Sequence, residues 1–390
     1  MLPTPLKVQN HRRTCYNSLF LGCLAKAEFN CDGKFIASDL IEEVYLGHVV
    51  SAGCGQAPAS QAIRLAGLSL TIPATTVNKV CASGMKSVSL AAAQIKSGAA
   101  DCVLAGGMES MSSAPFSIPN RLRCPNRGLR FGNSELTDLL AKDGLIDAES
   151  GLPMGEAAER IAERFKISRE EMDEYSKRSF ESSLAARHLF ESEEIITIPS
   201  RESPNTLIIE DDGPKTFKPE KMSTLRTPFR PANGRITAAS SSQLTDGAAV
   251  MLLMSGDLVN KLKIKPIARV ITWADSGTLD AMDFPIAPAK AIEKCQALAN
   301  LSESDIDLHE INEAFSVVPL ALMKIRGTSL EKVNILGGSV ALGHPLGASG
   351  ARIIGTLMTA LKSKKMKRGC ASICNGGGGA SAMIIELCDN

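Results

Sequence analysis

Asn78-Lys79-Val80-Cys81-Ala82-Ser83-Gly84-Met85 is the stretch from which the rest of the chain can be read. Before it, Ala74-Thr75-Thr76-Val77 is short and β-prone. After it, the segment from Met85 to Ile95 carries small and apolar residues at helical spacing. Cys81 therefore stands where a strand ends and a helix begins. The free N–H groups and partial positive charge of a helix N-terminus favour a thiolate, which is the nucleophilic form of cysteine. The small residues Ala82, Ser83 and Gly84 leave room for a substrate to approach the backbone. The competing reading is a buried structural cysteine, since free cysteine is among the most buried residue types.

Working outward, apolar strands and helices alternate. Glu43 to Val50 reads as a strand, Ala59 to Ala66 as a helix, and Asp101 to Gly107 as a buried strand of the kind found in parallel sheets. From Ser112 to Thr245 the composition turns to Pro, Arg, Glu and Ser. A charged helical stretch, Ser168 to Glu191, starts there with the capping-box pattern Ser168-Arg169-Glu170-Glu171. Core strand character returns from Asp246 to Met254. A second half then repeats the first. Pro266 to Trp273, Asp307 to Asn312 and Val333 to Leu336 read as strands, and Pro288 to Ala299 as a helix. Ala348-Ser349-Gly350 echoes Ala82-Ser83-Gly84, and Gly369 to Cys374 echoes the strand from Asp101. Two α/β halves follow, with boundaries at 1–111 plus 246–264, 112–245 for an inserted loop domain, and 265–390. Ser18 to Ala27 reads as a short helix, but residues 1–17 offer no counterpart to the strand that opens the second half.

A chain of 390 residues can bury a large core. A net charge of +1 with mixed signs gives no reason to expect nucleic acid as a partner. No apolar run approaches the roughly 20 residues needed to cross a bilayer, so no membrane partner is expected. The eleven cysteines lack zinc-type spacing and read as reduced thiols. Residues 1–27 hold Lys7, Arg12, Arg13 and Lys26 but no Asp or Glu, which is compatible with a mitochondrial targeting segment. An ordinary basic start to a cytoplasmic protein is the alternative.

Three further motifs accompany Cys81: Asn312-Glu313-Ala314-Phe315, Gly343-His344-Pro345-Leu346-Gly347 and Cys374-Asn375-Gly376-Gly377-Gly378-Gly379. Each has a plain structural reading. His344 can be a packing residue in a Gly-Pro turn, Cys374 core filling, Asn312 a helix cap, and the glycine run a hairpin. Four motifs in this order, spread from about Glu43 to Leu387, make the chain resemble the thiolases, and among them the acetyl-CoA acetyltransferases. The resemblance implies an α/β fold: duplicated, five-layered α/β/α/β/α, with mostly parallel sheets, an inserted loop domain and the site between the halves. Thiolases normally open with an apolar strand, expected in the middle of its sheet. Here that first strand of the N-terminal half is missing.

The resemblance also implies roles. Cys81 takes an acetyl group, and His344 accepts its proton. Cys374 removes the α-proton of a second acetyl-CoA, and Asn312 positions a water beside the His344 ring to hold the enolate. The N–H groups of Cys81 and Gly376 form the other oxyanion hole. Ser242 lies against the pantetheine chain and Arg226 near the adenine end of coenzyme A; a solvated loop charge is the other reading of Arg226. The substrates and products are acetyl-CoA, acetoacetyl-CoA and CoA. No cofactor is expected beyond these thioesters, and no metal, since Pro214 replaces a tyrosine of the potassium site in some relatives. Pro153-Met154-Gly155 stands where many short-chain thiolases have His-Met-Gly, and Ser240 where Asn is usual. A homodimer or homotetramer is implied. The alternatives are a 3-ketoacyl-CoA thiolase of broader chain length, or an inactive, N-terminally truncated thiolase-like subunit.

Overall fold

Apolar strands of nine residues, Cys102–Ser110 and Asp246–Met254, are buried along their whole length and form the spine of the first half. The structure, a computed structural model, describes residues 38–118, 133–200 and 205–388, with the backbone of residues 6–7, 30–31 and 34–35. The first sheet contains β1 (Leu6–Lys7), β2 (Glu43–Gly47), β3 (Ala74–Val77), β4 (Cys102–Ser110) and β5 (Asp246–Met254), in the order β1-β5-β4-β2-β3. The second contains β6 (Ala268–Gly277), β7 (Leu308–Ile311), β8 (Arg368–Asn375) and β9 (Gly379–Leu387), in the order β6-β9-β8-β7. In each sheet the strands share one direction except for one, β5 or β9, which is antiparallel to both its neighbours.

The principal helices are α1 (Pro58–Leu65), α2 (Ser83–Ser97), α3 (Met154–Arg164), α4 (Arg169–Ala185), α5 (Ala287–Ala299), α6 (Val317–Arg326) and α7 (Leu346–Lys364). One apolar cluster joins Met85 and Val88 of α2, Ile353, Ile354 and Leu357 of α7, Val103 and Met251 of the first sheet, and Ile373 and Met383 of the second. The two helices are thus a layer between the sheets. Ala59 and Ile63 of α1 cover the outer face of the first sheet, and Ala291 and Ile292 of α5 that of the second. Five layers result. Helix α7 is buried from Leu346 to Leu361, as its nearly all-round apolar surface requires.

Three expectations change. The first-half strand that was read as missing has a two-residue counterpart, Leu6–Lys7, paired with Val250 and Ala249. Its place is the edge of the sheet, where β6 sits in the other half, not the middle, so a short strand there opens no gap in a buried layer. The helix expected over Ser18 to Ala27 lies outside the described residues. Val333 to Leu336 is not a strand. Only Val333 bridges to His309, and Asn334 turns to a φ of +46°. There the Asn334 side chain replaces a ladder, accepting from Ile311 N–H at 2.7 Å and donating to Ile311 O at 2.8 Å.

Within the 112–245 region, α3 packs over the second half, whereas Ile198, Ile208, Leu139 and Leu140 pack on the first. The capping box opens α4 as expected, with Ser168 Oγ accepting from Glu171 N–H at 3.1 Å and Glu171 returning the bond at 2.6 Å. The charged stretch is split, since α4 stops at Ala185 and a separate helix runs Arg187–Glu193. Ala157, Ala158 and Ile161 of α3 pack on Val317 and Ala321 of α6. That contact brings Met154, at the start of α3, to the turn after β8.

Candidate active site

The turn from β3 to α2 is tight. Val80 holds a φ of +48°, a left-handed conformation that a β-branched residue adopts only under constraint. The Lys79 N–H donates to Ser83 Oγ at 2.8 Å, and the Ser83 hydroxyl donates to the Val80 carbonyl at 2.6 Å. The Val80 N–H donates to Asn78 Oδ1 at 3.0 Å. Cys81 is held in this frame. Burial pushes its thiol up to about 11, against the pull of the Gly376 N–H and of its own N–H, and Glu109 adds to the rise. The helix-terminus donors are present, but the loss of water outweighs them. Cys81 therefore rests as a thiol, not as the expected thiolate. Nor does Gly84 leave room for a substrate. A Cβ there would stand 2.9 Å from both Ala351 N and Gly347 O, so its smallness lets α2 touch α7.

Strand β8 delivers Cys374, and the turn after it delivers Gly376. Gly377 and Gly378 have φ of +79° and +76°, so those two glycines are required by the turn itself. A Cβ on Gly376 would meet only Val80 Cγ1 at 3.5 Å and Met154 Sδ at 3.8 Å. Gly376 thus lies between the Cys81 turn and α3, with its N–H on the Cys81 sulfur. Cys374 is fully buried. Burial raises its thiol well above the usual range, and the neighbouring Cys81 raises it further.

His344 follows Gly343, whose φ is +89°. The Ser349 hydroxyl donates its one proton to the Pro345 carbonyl at 2.8 Å, so its 2.6 Å contact with His344 Nδ1 is donated by the ring. Nε2 keeps the lone pair of a base. Burial holds His344 down to about 3, with the Arg352 cation adding to the effect, so the ring is neutral at neutral pH. Asn312 Nδ2 lies 3.5 Å from Nε2. Its amide is oriented by Ser339, which donates to Asn312 Oδ1 at 2.7 Å and accepts from Arg352. Asn312 is not a helix cap, because α6 begins at Val317 with Ser316 before it. Leu346, two residues past His344, packs with Val80 and Cys81, which sets the start of α7 against the nucleophile turn.

A cavity of about 660 Å³ opens here, its lining including Ser242, Gln243, Phe217, Leu225, Lys218 and Lys221. The Gln243 carbonyl accepts the His344 backbone N–H at 3.1 Å, so the cavity wall adjoins the His344 turn. Ser242 is one of its lining residues. Arg226 is exposed and is not among the lining residues, although its neighbour Leu225 is. The exposed amines of Lys218 and Lys221 escaped the sequence reading. So did Phe229, whereas Phe315 closes the motif that begins at Asn312. They meet edge to face at 6.2 Å and share an apolar cluster with Met154 and Cys374. Gly155 has no side chain because a Cβ would stand 2.2 Å from the Phe229 ring. Among the described residues, no group of three or more His, Cys, Asp or Glu is placed to hold a metal ion.

Two family models match the chain: thiolase, N-terminal domain, over residues 16–257, and thiolase, C-terminal domain, over 264–387. Mitochondrial acetyl-CoA acetyltransferase A of Xenopus laevis is 47% identical over 359 residues, covering 90% of this chain and 82% of the relative. Acetyl-CoA acetyltransferase of Schizosaccharomyces pombe is 47% identical over 351 residues, covering 89% and 87%. A solved thiolase of Ascaris suum in complex with coenzyme A superposes with a TM-score of 0.90 at 38% identity, covering 99% of both chains.

Proposed function

The chain belongs to the thiolase family, and from that premise we propose that it is an acetyl-CoA C-acetyltransferase, converting two acetyl-CoA to acetoacetyl-CoA and CoA reversibly. The observation that carries the reading is the meeting of Cys81 with the Gly376 N–H and Cys374, beside a neutral His344 whose Nε2 is free to accept a proton. In the first half-reaction Cys81 Sγ attacks the thioester carbonyl as His344 Nε2 takes its proton. The N–H groups of Cys81 and Gly376 receive the oxyanion. Cys374 rests as a thiol, so it becomes a base only by giving its proton to the departing CoA sulfur. In the second half-reaction the Cys374 thiolate removes the α-proton of a new acetyl-CoA. The His344 Nε2–H, with a water held by Asn312, stabilises the enolate oxygen. The enolate carbon attacks acetyl-Cys81, the Cys81 sulfur leaves, and His344 returns its proton. Both thiols and the neutral imidazole are restored.

The cavity past Ser242 is the path for pantetheine, with Lys218 and Lys221 facing the phosphates of coenzyme A. No cofactor is required beyond the thioester substrates. Mitochondrial residence is supported by the names of several relatives. A homodimer or homotetramer is the assembly we expect.

The test is CoA-dependent cleavage of acetoacetyl-CoA by the purified chain, beside Cys81→Ala and beside longer 3-ketoacyl-CoA substrates. Cleavage that prefers four carbons and needs Cys81 is expected. Equal cleavage of longer chains would make the protein a broad thiolase. A folded chain with no activity would be the inactive subunit.

A further inference from the structure

Glu109 ends the buried strand β4, and the steps above give it no part. It is 1% exposed. Its Oε2 accepts the Val49 N–H at 3.0 Å and the Gly347 N–H at 2.8 Å, while Oε1 accepts the Val50 N–H at 3.2 Å. Gly347 lies in the first turn of α7, three residues after His344. Val49 and Val50 pack with Val80, Cys81 and Leu346. Glycines close the same joint: Gly347 O would stand 1.9 Å from a Cβ on Gly107 and 2.5 Å from one on Gly47. One carboxylate of the first half therefore holds the helix turn that follows the base in the second half.

The titratable groups facing it are His48, Asp246 and Cys81. His48 Nε2 is 3.4 Å from Oε1, and burial holds that imidazole down to about 4, so it is neutral at neutral pH. Burial pushes the Glu109 carboxyl up to about 7, against the pull of the three N–H donors, and Asp246 adds to the rise. A negative charge at Glu109 in turn disfavours a thiolate at Cys81.

We propose that Glu109 is a positioning residue with two effects, resting on the reading of Cys81 as nucleophile. It fixes the His344 turn against the Cys81 turn, and its charge, held beside that turn by Val49 and Val50, adds to the burial that keeps Cys81 a thiol until His344 takes the proton.

Glu109→Gln removes the charge at nearly constant volume. Loss of cleavage in Cys81→Ala, measured alongside, shows separately whether Cys81 is the nucleophile. In Glu109→Gln we expect kcat for acetoacetyl-CoA cleavage to fall about 10-fold or more with KM within about twofold, the pattern of lost geometry rather than lost binding. Iodoacetamide labelling, followed on the Cys81 peptide by mass spectrometry from about pH 7 to 11, reads the thiolate fraction. Its midpoint should move to lower pH, which a purely structural role would not produce. An unmoved midpoint, or an unchanged kcat, overturns the proposal. If Glu109→Gln does not fold, Glu109→Asp keeps the charge but shortens the reach. A lower kcat with an unmoved labelling midpoint then supports the proposal, and an undiminished kcat overturns it.

Discussion

Helix α2 begins beside Ala82-Ser83-Gly84, and α7 carries Ala348-Ser349-Gly350 in its first turns. In both, the serine hydroxyl donates back to a carbonyl of the preceding turn: Ser83 to Val80 at 2.6 Å, Ser349 to Pro345 at 2.8 Å. What each serine accepts is different. Ser83 accepts the Lys79 backbone N–H and so locks the strained turn before Cys81. Ser349 accepts the His344 ring N–H and so fixes a tautomer. The two glycines pack reciprocally, Gly84 against Ala351 N and Gly347 O, Gly350 against Met85 N. A repeated backbone device thus holds the proposed nucleophile in one half and its proposed base in the other. The reciprocal glycine contact keeps the two helix starts together.

The comparison can be broken at several points. Cys81→Ala should reduce acetoacetyl-CoA cleavage by at least about 10,000-fold, since no other group takes the acyl chain. Residual activity near wild type, measured by loss of the substrate's absorbance, would remove the nucleophile half of the pairing.

The glycines should be unequal. A Cβ on Gly350 meets Met85 N at 2.2 Å, whereas one on Gly84 meets its nearest atoms at 2.9 Å. Gly350→Ala should therefore cost about 3 kcal/mol in urea unfolding and Gly84→Ala about 1–2 kcal/mol. Equal losses would mean that the helices adjust freely.

The serines should differ in catalysis. Ser349→Ala should lower kcat about 100-fold, the lower end of what an oriented general base contributes, and the His344 ring N–H left without its acceptor should cost about 1–3 kcal/mol as well. Ser83→Ala leaves a backbone N–H without its acceptor and should cost about 1–3 kcal/mol of stability with a smaller loss of kcat. The reverse pattern would show that the two turns do the same work.

The last effect concerns acid. Burial holds His344 down to about 3 and His48 down to about 4, both below the usual 6.5 of an imidazole. Between those values the unfolded chain binds the extra protons. Their contribution is present above pH 6.5 and is lost as pH falls toward the folded values. His344→Gln should flatten the stability loss between about pH 6 and 4. An unaltered slope would mean that the ring is reached by water.

The chemistry was legible wherever it is carried by short motifs. Cys81, His344, Cys374 and Gly376 sit in local sequence whose glycines and strand–helix boundaries announce a turn. The structure finds Cys81, His344 and Gly376 in those turns and Cys374 near the end of β8, around the starts of α2 and α7. Asn334 shows the limit: the apolar run Val333 to Leu336 predicts a strand, but one amide side chain bonded to Ile311 substitutes for the ladder. Phe229, Lys218 and Lys221 gave no local signal. An aromatic ring or a surface lysine reads the same whether it lines a cavity or not.

Sequence by itself determined the duplicated α/β plan and the family, and it put forward the groups proposed to react, because periodicity and turn residues are properties of neighbours along the chain. Tertiary structure alone decided their states. Cys81 is a thiol because burial outweighs its N–H donors. His344 presents Nε2 because Ser349 has already given its proton to Pro345. Glu109 holds Gly347 across 238 residues of chain. Protonation and orientation depend on water excluded and partners met in space, and neither quantity exists until the two halves have closed on each other.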